Sequence, residues 1–114
     1  MTQLNSVIIE GKLVENVKVT QVAPVAIAQF YISTERIHKN EDGTYEKEIC
    51  YFDVECFGKL AEHLENYLKR GRGVRVVGRL KQDIWMNGEK KCSRVIVVAE
   101  HIEVKPFKEA ENDD

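Results

Sequence analysis

Between Ile49 and Phe57 the chain alternates between two chemistries, and this alternation constrains its fold more than any other feature. Cys50, Phe52, Val54 and Cys56 are apolar, while Ile49, Tyr51, Asp53, Glu55 and Phe57 form a mixed set of aliphatic, aromatic and acidic residues. Successive side chains of a strand point to opposite faces, so one set is expected to face a core and the other to face away from it. Two aromatic rings and two carboxylates are thereby offered outward.

The same reading extends along the chain. Leu4 to Leu13 is apolar and β-branched with Gly11 inside it, which predicts a first strand that bends. After Pro24, Ala26, Ala28, Phe30 and Ile32 fall on one face and Gln29, Tyr31 and Ser33 on the other. Residues 36–47, with Asn40-Glu41-Asp42-Gly43 at their centre, are expected to form a hairpin tip. The period then changes. Leu60, Leu64, Tyr67 and Leu68 recur every three or four residues and Gly71 follows, predicting one amphipathic helix over Lys59 to Lys69. Two more strands are expected, Gly73 to Trp85 and Cys92 to Val104, joined at the turn signal Asn87-Gly88. The order β-β-β-α-β-β, with curvature at Gly11 and Gly78, predicts an all-β fold with one short helix: the five-stranded Greek-key barrel known as the OB-fold. It should occupy residues 1–106, leaving 107–114 as a short acidic, flexible tail.

Charge is distributed unevenly. The net charge of −2 is set by that tail, where Phe107 to Asp114 hold one lysine against four acids; residues 58–94 carry ten Lys or Arg against four Asp or Glu. A basic middle suits a polyanionic partner better than the total suggests. Three cysteines, Cys50, Cys56 and Cys92, fit neither a disulfide framework nor a zinc site, and His38, His63 and His101 stand apart from them. No metal or cofactor is expected. Neither a membrane span nor a secretory signal is read from the sequence, so the cytoplasm, near the nucleoid, is the expected location.

Four stretches, in order and at the expected spacing, resemble the bacterial and organellar single-stranded DNA-binding proteins from Asn5 to Val104. They are Asn5-Ser6-Val7-Ile8-Ile9-Glu10-Gly11-Lys12-Leu13, Phe57-Gly58-Lys59-Leu60-Ala61-Glu62, Tyr67-Leu68-Lys69-Arg70-Gly71, and Gly78-Arg79-Leu80 leading to Trp85. The resemblance implies coating of single-stranded DNA during replication, recombination and repair, with bases stacked on Tyr51, Phe57 and Trp85. A fourth aromatic of the family falls on Ile37 or His38. It also implies a homotetramer, with a dimer as the other possibility, and contacts with replication and repair proteins through an acidic tail. Here that tail is short and lacks the apolar end residue usual in the family.

Sequence-independent binding needs groups that every nucleotide offers, the face of the base and the phosphate charge. Aromatic rings serve the first, at about 1–3 kcal/mol per stacked base. Lys59, Arg70, Arg72, Arg75, Arg79 and Lys81 are the candidate phosphate contacts. The competing structural reading places Tyr51 and Phe57 in a subunit interface and the cations on a merely solvated face. Asp53 and Glu55 oppose DNA unless turned aside or paired with arginine. Three rivals remain: an enzyme, for which no triad, paired carboxylates or phosphate loop is visible; a primosomal accessory module gripping protein partners; and an RNA-binding OB domain.

Overall fold

A computed structural model describes residues 2–22 and 24–106, so the tail lies outside the described residues. The elements are β1 (Val7–Leu13), β2 (Lys18–Val22), β3 (Val25–Lys39), β4 (Tyr45–Phe57), α1 (Lys59–Glu62), β5 (Gly73–Asn87) and β6 (Lys90–Val104). The strands form one sheet in the order β1-β5-β6-β4-β3-β2, and a further β1–β3 pairing at Leu13↔Ile32 rolls it shut into a barrel. All neighbours are antiparallel except β4 and β6, which run parallel at Val54↔Val97 and Glu55↔Val98. Closure leaves β2, paired only with β3, as the one strand among the described residues with a single partner. The five expected strands are present as an OB-type barrel.

The core follows the predicted parity. Ala26, Ala28, Phe30 and Ile32 of β3 meet Val54 and Cys56 of β4, Val74 and Val76 of β5, and Val97 and Ala99 of β6 inside the barrel. Burial pushes the Cys56 thiol up to about 12, so it stays protonated and unreactive; Cys50 and Cys92 are only partly covered. Gly78 is required by close approach, since a Cβ there would overlap the Val98 carbonyl oxygen.

Four local expectations are corrected. The expected first strand is present as β1, but a further strand, β2, follows it, and was not legible because Lys18, Thr20 and Gln21 dilute its apolar pattern. The helix ends at Glu62 and continues only as a 3₁₀ turn, Leu64–Asn66. Its apolar periodicity still serves burial, with Ala61, Leu64 and Leu68 in the core. The α-register is lost because the chain is tied to the β1–β2 connection: the Val17 N–H donates to the Leu68 carbonyl at 2.9 Å and the Arg70 N–H to Asn16 Oδ1 at 2.7 Å. Residues 36–47 are not all tip; β3 and β4 stay paired out to Lys39↔Tyr45. Phe52, expected in the core, is 37% exposed although Ile32, directly opposite it on the ladder, is buried.

Candidate nucleic-acid interface

Because Phe30–Val54 and Ala28–Cys56 face inward, their odd-numbered neighbours on β4 face outward. Tyr51 is 63% exposed and Phe57 40% exposed on that side. Tyr31 of β3, opposite Asp53, joins them; its parity was visible in the sequence, but its partner was not. Trp85 lies on β5 opposite Cys92, two residues before the strand ends at Asn87, and is 46% exposed. The contact that unites these strands is made by Arg94 of β6. Its Nη1 donates to Asp53 Oδ2 at 2.8 Å, and its Nη2 lies 3.5 Å from Glu55 and 3.6 Å from Asp83. Asp53 is two residues from Tyr51, and Asp83 two from Trp85, so the three predicted aromatics share one outer surface around Arg94.

The carboxylates that opposed a DNA partner are thus collected under one guanidinium. Glu55 is 6% exposed and also accepts a 2.6 Å hydrogen bond from Gln29 Nε2. A carboxylate buried to that degree needs such partners. Asp53 is held above the usual aspartate range, mainly by desolvation, with the Glu55 and Asp83 charges adding to the shift and Arg94 opposing it. Ile96 and Val98 point the same way on β6 and are buried, giving the surface an apolar floor. Arg94 was not among the candidates; the two outward acids of β4 signalled the need for a cation, but nothing local says which strand supplies it.

The predicted cations divide into two groups. Lys59, at the start of α1, and Arg70 are exposed and have no side-chain partner among the described residues. Arg72 donates from Nε to the Lys105 carbonyl at 2.9 Å. Arg75 donates to Glu10 at 2.7 Å and lies 3.3 Å from Glu103, holding the Glu10 carboxyl below its ordinary range. Arg79 lies 3.6 Å from Glu100 and Lys81 3.4 Å from Asp83. Exposed pairs of this kind contribute about 0–1 kcal/mol, so these cations exchange partners at little cost. Among the described residues, no group of three or more His, Cys, Asp or Glu is placed to hold a metal ion, and no helix is long and apolar enough to cross a membrane.

Residues 4–105 match the Single-strand binding protein family. The chain belongs to that family. The single-stranded DNA-binding protein of Aquifex aeolicus is 34% identical over 100 residues, covering 87% of this chain and 68% of that protein. The Helicobacter pylori protein of the same name is 36% identical over 101 residues, covering 87% of this chain and 56% of that protein. The crystal structure of the wild-type single-stranded DNA binding protein from Thermus aquaticus superposes with a TM-score of 0.77 at 30% identity, over 90% of this chain and 50% of that one. This member of the Single-strand binding protein family therefore spans about half to two thirds of the length of these relatives.

Proposed function

We propose that this chain binds single-stranded DNA without regard to sequence, and coats it during replication, recombination and repair. One observation carries the reading: Tyr51, Phe57 and Trp85, from two strands far apart in sequence, are exposed on the same outer surface. Exposed rings on a rigid ladder are stacking platforms for bases, each worth about 1–3 kcal/mol. Lys59, Arg70, Arg72, Arg75, Arg79 and Lys81 supply phosphate contacts, the paired ones by exchanging a carboxylate for a phosphate. Work on unpaired DNA places the protein in the cytoplasm at the nucleoid. The acidic tail, 107–114, serves as the contact for replication and repair proteins.

Trp85 is the single tryptophan, so its fluorescence reports on the site directly. Titration with a dT homopolymer is expected to quench it, and log K is expected to fall with log salt by about 0.7 per phosphate contacted. Unchanged emission and no complex at low salt would remove this surface as a DNA site. The rival reading as a primosomal, protein-gripping module drew on outward Asp53 and Glu55 and on the missing fourth aromatic; with Arg94 bonded to the first carboxylate and close to the second, the carboxylates no longer favour it.

The assembly that fits this reading is a homotetramer. Ile8 on β1 and Ile84 and Val95 on the β5–β6 hairpin are large, exposed aliphatic groups of the kind that subunit contacts cover. Native mass spectrometry is expected to give four chains; a dimer would mean that only one such surface is used, and a monomer would sink the assembly.

A further inference from the structure

We propose that Tyr45, at the outer end of the β3–β4 ribbon, is a further base-stacking residue that extends the DNA path along this ribbon beyond the barrel. The inference rests on the single-stranded DNA reading above. Tyr45 and Tyr51 are an even number of residues apart on one strand, so both rings face the same way. The ladder is unbroken between them, from Ser33↔Tyr51 to Lys39↔Tyr45. At about 3.3 Å per residue, Tyr45 stands about 20 Å farther along the outward face.

The surroundings of Tyr45 argue against a packing role. Its side chain is 69% exposed, as is that of Ile37, its diagonal neighbour across the ladder. Among the described residues no other strand pairs with the ribbon there. Lys39 stands directly opposite Tyr45, and Lys47 follows it on the same face, loosely paired with Glu35 at 3.3 Å. A ring flanked by lysines offers both groups that a nucleotide needs.

The backbone that carries the ring is also held in place. The adjacent turn is closed by an Asn40 N–H donating to the Thr44 carbonyl at 2.7 Å. Within it, Asp42 Oδ1 accepts from the Thr44 N–H at 2.9 Å and from its hydroxyl at 2.6 Å, while Asn40 Nδ2 donates to that hydroxyl at 3.0 Å. The Asp42 carboxyl is held below its usual range by the Thr44 bonds. A platform fixed beforehand loses little freedom on binding. Tyr45 lies diagonally across the ribbon from Ile37, an aliphatic residue that shares its face.

The test compares the wild type with Tyr45→Ala and Tyr45→Phe, using Trp85 quenching by long dT and by the shortest dT oligomer that quenches Trp85 fully. Tyr45→Ala is expected to lose about tenfold in affinity for long dT and nothing for the short oligomer, while Tyr45→Phe matches the wild type on both. Equal affinities of Tyr45→Ala and wild type for long dT, with quenching intact, would place the DNA path elsewhere and leave the general reading standing. A lower native mass for Tyr45→Ala would make Tyr45 a subunit contact and overturn the proposal. Failure of the wild type itself to be quenched by either ligand would overturn both readings.

Discussion

Replacing Arg94 with methionine is expected to weaken single-stranded DNA binding about thirtyfold at low salt, although methionine keeps most of the aliphatic stem. The change leaves Asp53, Glu55 and Asp83 without the cation that lies within 2.8–3.6 Å of each. A single charge near phosphates is worth about 1 kcal/mol in water and about 4 kcal/mol at a protein surface; an intermediate value of about 2 kcal/mol corresponds to the thirtyfold loss. The difference should shrink as salt screens it. Adding Asp53→Asn to the variant should restore part of the affinity. Equal binding by Arg94→Met and wild type over a salt series would show that these carboxylates do not face the DNA.

The same cluster sets a pH dependence. The folded-state pKa of Asp53 is raised, so the folded protein holds its proton more tightly than the unfolded chain does. Its ionisation therefore costs stability: the full cost applies above the raised value and disappears as pH falls through it toward the ordinary aspartate range. Lowering the pH through that window also removes a negative charge from the surface, so binding should tighten there, and Asp53→Asn should lose this response. Arg94→Met should move the window upward, since the opposing charge is gone.

Gly78→Val is expected to cost about 3 kcal/mol or more, enough to unfold much of the protein under ordinary conditions. The added Cβ would overlap the Val98 carbonyl oxygen and come within 3.1 Å of the Ala99 Cα, both backbone atoms of the paired strand. Backbone in a closed ladder cannot move aside as a flexible side chain can. Gly43→Ala is the comparison, because Gly43 sits in an open turn at φ 92 with nothing within 4 Å of the added carbon; its cost should be only about 1–2 kcal/mol. Urea unfolding reads both. A Gly78→Val midpoint close to that of Gly43→Ala would mean that the barrel opens at this seam with ease.

The inward and outward sets of β3 and β4 were legible because strand parity is a local property: a side chain and its second neighbour share a face whatever the rest of the chain does. Tyr51 and Phe57 could therefore be separated from Val54 and Cys56 without knowing any partner strand. The same logic failed at Phe52, because parity tells which side a residue faces and not how far a large ring is covered there. It also could not hold the helix together over Lys59 to Lys69, where bonds from Leu68 and Arg70 to the β1–β2 connection override local periodicity.

Taken alone, the sequence determined five of the six strands and their chain order, most of the core face of β3 and β4, the curvature expected at Gly11 and Gly78, and the resemblance to a family. Each depends on residue identity and short-range spacing. Only the tertiary structure decided that Trp85 shares a surface with Tyr51 and Phe57, and that one arginine collects three carboxylates between them. These are consequences of the parallel β4–β6 pairing and of the β5–β6 register, which bring together Asp53, Asp83 and Arg94 from three different strands. Pairing of that kind is settled by which closed barrel satisfies every ladder at once, and no local stretch of the chain carries that information.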